Sequence, residues 1–452
     1  MTAPTGSSAA APGDDAPLSP AEADRLFAPL APLGLLAVAV SGGADSTALL
    51  LLLHDWTRRA DAAPRLVVLT VDHGLRAEAA AECARVADLA ARLGLEAEIL
   101  AADPGAFSGT GLQDAARRER HRLFAQALAR RGATDLALAH HRDDQAETFL
   151  MRLSRGSGLR GLSAMAPRRR VGALTLHRPL LGVPRSRLRA SLLARGEPWC
   201  EDPSNASPRF LRARLRALMP ALAEVGIDAA TLAATAVRLA RASVAVDDAL
   251  ARLDAAAVRW HDGAFSIDRA AFRAAPREVA SRLLADLVRD MSGAPYGPRA
   301  APVDEVMDEL HAVDAPASVR RPLRRTLAGV VVDARRERIW LHLEAGRGGF
   351  RPVPVTADGR VRFSGGLDVV VEGLGAAGAE GAVLEALGRV GRGDVEAAGL
   401  SLPGPAGVRE ALVVLRAADG RLLAAPGPAG AAFAPVRITV PRPGEAEAPE
   451  TA

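Results

Sequence analysis

Leu35-Leu36-Ala37-Val38-Ala39-Val40-Ser41-Gly42-Gly43-Ala44-Asp45-Ser46 is the stretch that decides the fold. Leu35 to Val40 has the length of a buried strand, two glycines break it, and Ser46 to Trp56 continues as an apolar helix. The same alternation recurs downstream. Strands are expected over Arg65 to Asp72, Glu96 to Leu100 and Asp135 to Ala139, and helices over Ala77 to Leu93, Gln113 to Ala129 and Asp143 to Leu153. Short apolar strands alternating with amphipathic helices predict an α/β fold: a doubly wound parallel sheet, helices on both faces, and ligands at the carboxyl ends of the strands.

Outward from this core, residues 1–22 read as a disordered leader, rich in Ala, Pro, Ser and Gly and carrying Asp14 and Asp15, the wrong charge for a targeting peptide. Within its end, Ser19-Pro20-Ala21-Glu22 has the signature of a capped helix start. The α/β domain is expected over 23–224, a helical domain over 225–318 and a small mixed or β-rich unit over 319–440, with 441–452 a disordered tail.

Composition removes several function classes. The chain of 452 residues has no lysine, so all 57 basic residues are Arg. A P-loop with its lysine, a pyridoxal Schiff base and a lysyl-adenylate nucleotidyltransferase are therefore excluded. Cys83 and Cys200 are too far apart in sequence for a Cys-x-x-Cys pair, which fits a reducing cytoplasm. The run Leu35 to Val40 is far short of the ~20 residues a membrane-spanning helix needs, and no membrane partner is expected. Charge is unevenly placed: Met151 to Pro220 holds 15 Arg against Glu197, Glu201 and Asp202, a local +12 that leaves about −8 on the rest of a +4 chain. Charge runs are often only solvated surface, but an excess this concentrated is the footprint of a phosphate-backbone contact, with Arg168-Arg169-Arg170 as its densest cluster.

The candidate chemistry falls at strand ends. Ser41, Gly42, Gly43, Ala44, Asp45 and Ser46, between a strand and a helix N-terminus, can point backbone N–H groups at one anion, for which phosphate is the natural guest. Asp45 is the loop residue able to hold Mg2+ beside a pyrophosphate. Further on stands His140-His141-Arg142-Asp143-Asp144-Gln145-Ala146-Glu147-Thr148. On the helix expected there Asp144 and Glu147 share a face, with Asp143 on its flank, so a carboxylate pair is offered to an amine. Acidic residues in a first helical turn also simply favour the helix. The two preceding histidines and the phosphate loop on a neighbouring strand favour the chemical reading.

The Ser41 to Ser46 loop resembles the PP-loop of the N-type ATP pyrophosphatases, a superfamily that cleaves ATP between its α- and β-phosphates to adenylate an oxygen of the substrate. Within it, three blocks are similar to the tRNA(Ile)-lysidine synthetases in order and spacing: Arg155-Gly156-Ser157-Gly158-Leu159-Arg160-Gly161-Leu162, Arg178-Pro179-Leu180-Leu181 and Trp199-Cys200-Glu201-Asp202-Pro203-Ser204-Asn205. The segment Asp72-His73-Gly74-Leu75-Arg76 is also similar, which implies that His73 and Arg76 lie on the ATP side. Arg117 and Arg120 match an Ala-Arg-x-x-Arg pattern, implying an ATP-facing Arg117, although His121 stands where a Tyr is usual. Phe210 to Arg216 is similar to an Arg-Asn-x-x-Arg segment with Ala213 in place of the Asn, which carries Arg212 over as an active-site residue.

The resemblance implies an enzyme that uses ATP and Mg2+ to adenylate the wobble cytidine of a CAU-anticodon tRNA(Ile), then joins free L-lysine to it, with the helical domain contacting tRNA. Catalysis would rest on Asp45, Asp144, Glu147 and Arg212. A tRNA thiolase or an amide-forming ligase on a small molecule are the alternatives, and a homodimer is compatible with the sequence.

Overall fold

The computed structural model describes residues 15–72, 74, 78–103, 112–201, 211–294, 296–312, 323–344, 350–356, 359–373, 381–388, 402–426 and 436–443. Contacts divide the chain into two compact units, Met1–Ser243 and Val244–Ala452.

The first unit is built on a sheet of six strands in the order β3-β2-β1-β4-β6-β5. These are β1 (Leu35–Ala39), β2 (Arg65–Asp72), β3 (Glu96–Ala101), β4 (Asp135–Ala137), β5 (Arg168–Val171) and β6 (Leu174–His177). All neighbours are parallel except β5, which folds back antiparallel on β6 at the sheet edge. The chain runs outward from β1 through β2 to β3 and returns to the other side of β1 at β4, so the topological switch lies between β1 and β4. A ligand crevice is expected at that point.

One face of the sheet is covered by α1 (Pro20–Phe27), α2 (Ala44–Thr57), α3 (Glu78–Arg92) and α7 (Arg185–Leu193). Leu49 to Leu53 are all buried, because α2 meets the sheet on one side and α1 and α7 on the others. An apolar helix of this kind suits a fully covered position. The opposite face carries α4 (Leu112–Ala129), whose Phe124, Ala127 and Leu128 pack on Leu136, Leu174 and Leu176. Beyond the strand ends lie α5 (Arg142–Leu153), α6 (Leu159–Leu162), α8 (Leu211–Glu224) and the 29-residue α9 (Ala229–Ala257), joined by a small cluster of Ala146, Phe149, Leu232 and Ala236.

The segment expected to be a leader enters the fold at its end. Ser19 caps α1 through a capping box with Glu22, and Arg187 of α7 donates to the carbonyls of Ala16 and Pro17 and pairs with Glu22 at 2.8 Å. By length and composition α9 would suffice to cross a bilayer. Its Leu232, Ala233 and Ala236 are buried against the protein itself.

In the second unit the expected helical stretch contains strands: β7 (Val258–Trp260) and β8 (Ala264–Asp268) join a five-stranded sheet with β9 (Leu323–Leu327), β10 (Val330–Ala334) and β11 (Arg338–Leu343). Residues on both sides of the expected 318/319 boundary thus share one sheet, with β8 antiparallel to β11. Phe265 and Ile267 alternate into its core, a period-2 pattern too short to stand out among alanine-rich helices. Two smaller antiparallel sheets of four and three strands follow, as the β-rich reading of the C-terminal part expects.

Candidate active site

The phosphate loop occupies the carboxyl end of β1. Gly42 adopts φ +80°, a conformation that favours glycine, and turns the chain directly into α2. Gly43 is the N-cap of α2 in extended geometry and supplies no side chain, so the first-turn N–H groups face the loop without a cap. Ser46 Oγ lies 3.2 Å from Ser41 Oγ, accepts from the Ser41 N–H and donates to the Gly43 carbonyl at 3.1 Å, closing the loop on itself. A second clamp comes from far along the chain: the Cys200 N–H donates to the Gly42 carbonyl at 2.9 Å, and Arg85 holds the Cys200 sulfur at 3.1 and 3.2 Å. Nothing in the sequence signals Arg85 or this use of Cys200, since only the fold brings them to Gly42.

Across the switch point, His141 caps α5 and stands among three carboxylates. Its Nε2 lies 3.5 Å from Asp45 Oδ2 and 3.5 Å from Asp144 Oδ2, and its Nδ1 lies 3.5 Å from Asp143 Oδ2. Burial by itself would disfavour the charged ring, but the hydrogen bonds to Asp143 and Asp45 and the Asp144 charge outweigh it and raise its pKa to about 10. Burial works against the ionised Asp45 too, yet bonding to His141 and to Arg185, whose Nε is 3.4 Å away, lowers its pKa. In the same way His141 and the Arg185 N–H bring Asp143 to about 2 despite its burial. A cationic ring has no lone pair for the Asp144 N–H found 3.4 Å from Nδ1. The three carboxylates decide for the imidazolium, and the cap is then made by Asp144 Oδ2, which accepts from the His141 N–H at 3.1 Å.

The neighbouring His140 is the opposite case. Burial lowers its pKa to about 4, and the charges of Arg178, Arg117 and Arg212 reinforce that against Asp144. It accepts at Nδ1 from Arg178 Nε at 3.3 Å, a bond only the neutral ring can take.

Glu147, one helical turn beyond Asp144, is 2% exposed and is engaged by α8: Arg216 donates to its Oε1 from Nε at 2.8 Å and Nη2 at 2.7 Å. Its Oε2 is buried and has no hydrogen-bond partner among the described residues. Burial raises the Glu147 pKa more than Arg216 lowers it, whereas Arg216, 41% exposed at its side chain, has its own pKa raised because it loses less water in making the pair. Arg216 is thus a site residue that sequence reasoning passes over in favour of Arg212, four positions earlier. Arg212 is exposed on α8, and its charge reaches both Glu147 and His140.

Ser41 to Ser46, Asp144, Glu147 and Arg212 therefore converge on the β1/β4 crevice. Arg117 lies on α4 with its charge felt at His140. His73 and Arg76 lie outside the described residues. Asp45 fits Mg2+ held chiefly by phosphate: among the described residues no group of three or more His, Cys, Asp or Glu is arranged for a metal, but Mg2+ beside a polyphosphate needs only one or two carboxylates. The contacts of Asp45 at 3.4 and 3.5 Å are long enough to be exchanged.

Comparison with known proteins gives the family. Residues 19–222 match the model of a PP-loop domain family. A tRNA(Ile)-lysidine synthase from a Bradyrhizobium species is 42% identical over 339 residues, covering 72% of this chain and 94% of that protein. One from Ruegeria pomeroyi is 46% identical over 278 residues, covering 61% and 65%. Among solved structures, a U34-tRNA thiolase of Methanococcus maripaludis is 17% identical with a TM-score of 0.40 over 49% of this chain and 78% of its own. With a loop shaped for phosphate, carboxylates across the crevice from it, and a relative 42% identical over 94% of its own length, the chain belongs to the tRNA(Ile)-lysidine synthase family.

Proposed function

We propose that the protein joins free L-lysine to the wobble cytidine of a CAU-anticodon tRNA(Ile) in two steps. The oxygen at ring position 2 of the cytosine attacks the α-phosphorus of ATP and pyrophosphate leaves. The ε-amine of lysine then attacks carbon 2, loses a proton, and AMP departs with the oxygen. The observation that carries this reading is the single imidazole of His141, which spans the crevice with Asp45 of the phosphate loop and Asp144 of α5 both at 3.5 Å. That both carboxylates meet one ring nitrogen supports adenylation and amine delivery at adjoining places, as two successive steps on one substrate base require.

The roles follow from the local chemistry. Ser41, Gly42, Gly43 and Ser46 cradle the phosphates, with the N-terminus of α2 behind them. Asp45 would hold the Mg2+ that accompanies ATP, which when bound neutralises the departing pyrophosphate. Asp144, more open than Glu147, grips the ammonium of lysine. Glu147, with Oε2 bare and its pKa raised, accepts the proton lost by the amine. Arg212 completes the site as a cation near both Glu147 and His140. A thiolase would call for paired cysteines, whereas Cys83 packs beside Thr70 and Cys200 serves the loop clamp. The reduced thiols suit a cytoplasmic setting.

The test is incorporation of labelled lysine into purified tRNA(Ile) transcript. Incorporation that requires ATP and releases equimolar pyrophosphate and AMP is expected. Sulfur transfer instead, or lysine-dependent ATP cleavage without RNA, would replace the reading by one of its alternatives.

A further inference from the structure

The basic run Arg168-Arg169-Arg170 is contiguous in sequence but divided in space. It forms β5, where successive side chains point to opposite faces. In the antiparallel register Arg169 stands opposite Leu176 and Val171 opposite Leu174, residues of the core under α4. Arg168 and Arg170 stand opposite His177 and Thr175, on the other face, where His177 Nε2 bonds the Asp135 carboxylate at 2.7 Å.

On the α4 face Arg169 joins a group of guanidiniums. Arg178 is 4% exposed, with Nη1 fixed on the Ala166 carbonyl at 2.9 Å. Arg152 donates to the Gly161 and Ala164 carbonyls at 2.6 and 2.7 Å. His121, on the first half of α4, has its pKa lowered to about 4 by burial and then by the charges of Arg117, Arg120, Arg178 and Arg169, and burial followed by Arg117, Arg169 and Arg152 lowers Arg178 itself to about 10. The heads of Arg152 and Arg178 are thus held by neutral carbonyls, which orient a cation without cancelling its charge.

We propose that Arg169, Arg152 and Arg178 form a ledge that binds phosphodiester groups of the RNA substrate, separate from the phosphate loop that takes ATP. Distance favours RNA. β5 lies three strands from β1 in the sheet order, about 14 Å at ~4.8 Å per strand, so a triphosphate clamped at Ser41 to Ser46 is not the anion that meets Arg169. The exposed position of Arg169 on an edge strand leaves it open to a long polyanion. The ledge rests on the tRNA reading above, and the two are tested by separate measurements.

The experiment measures binding of unmodified tRNA(Ile) transcript to the full chain at several salt concentrations, for wild type, Arg169→Ala and the double variant Arg168→Ala with Arg170→Ala. Each phosphate that is no longer neutralised should flatten the slope of log affinity against log salt by about 0.7 to 0.9. Arg169→Ala should show that change, with a several-fold drop in affinity at moderate salt and the KM for ATP unaltered. The double variant, though it removes twice the charge, should change the slope less. Arg169→Lys should restore most of it, because pairing with a bare phosphate needs only the charge. Superimposable slopes for Arg169→Ala and wild type, or a larger effect in the double variant, would overturn the ledge. A raised KM for ATP with tRNA binding intact would assign Arg169 to the nucleotide instead. Lysine incorporation by the wild type reports separately on the function, so either conclusion can fail without the other.

Discussion

His140 and His141 are consecutive in the chain, yet one is held neutral with a pKa of about 4 and the other charged with a pKa of about 10. Both are buried, so burial alone does not separate them. What separates them is direction. His141 sits at the N-cap of α5 with φ −127° and ψ −177°, and in extended backbone neighbouring side chains leave on opposite sides. One ring meets Arg178 and the other arginines of the basic side, and the other meets Asp45, Asp143 and Asp144. The crevice thereby has a basic flank at His140 and an acidic flank at His141, and a two-residue boundary divides them.

The largest break in this contrast should come from Asp45→Ala. It removes the carboxylate that joins the phosphate loop to His141, and turnover should fall by roughly 10²- to 10³-fold, the scale of losing one electrostatic stabiliser. The fold should survive, with melting lowered only by the loss of one of the three carboxylate partners of the buried His141 imidazolium, because the Asp45 side chain packs into no part of the apolar core. Pyrophosphate release in single-turnover assays is the readout, and wild-type rates in the variant would take Asp45 out of the mechanism.

Next in size is the Glu147–Arg216 pair. Arg216→Ala strands a carboxylate that is 2% exposed and should destabilise the protein by about 3 kcal/mol, measurable by urea unfolding. Glu147→Gln removes that charge and should cost less stability, while lowering kcat/KM for lysine at least ~10-fold and leaving the KM for ATP within about 2-fold. Equal impairment with both substrates would move Glu147 to the nucleotide side.

The effects sharpest for the comparison are those of pH. The raised pKa of His141 contributes stability that is fully present below the unfolded value near 6.5 and is lost as pH rises through about 10. His140 behaves oppositely: its unfolded form takes up a proton near 6.5 that the native form refuses until about 4, so native stability falls as pH drops through that window. The stability difference between wild type and His141→Gln should therefore shrink from pH 6 to pH 10, and that between wild type and His140→Gln should shrink from pH 6.5 to pH 4. Each change is bounded by about 1.4 kcal/mol per unit of pKa shift. Parallel pH slopes for the two variants would mean that the rings share one environment.

Much of the first unit is legible in the sequence because its signals are local. The strand β2 spans the expected Arg65 to Asp72, and α5 runs one residue longer at its start than the expected Asp143 to Leu153. A short apolar run ended by a glycine pair can hardly be anything but a buried strand and turn. The edge hairpin of β5 and β6 is absent from the expected elements although Val171-Gly172-Ala173-Leu174 carries its signal, a two-residue turn with Gly172 at φ +56°. Pairing as an extended strand is what keeps the three adjacent arginines from all sharing one face.

The sequence by itself determined the alternation of strands and helices, the phosphate loop and the acidic start of α5, since each depends on residues within a few positions of one another. Tertiary structure alone decided the partners: Cys200 on Gly42, Arg185 beside Asp45 across 140 residues, Arg216 on Glu147 across 69, and Arg169 rather than its neighbours beside Arg178. The physical reason is that charge acts through space. Which carboxylate is quenched, which histidine is protonated and which arginine is left for a ligand depend on distances of a few ångströms between segments that the chain order keeps far apart.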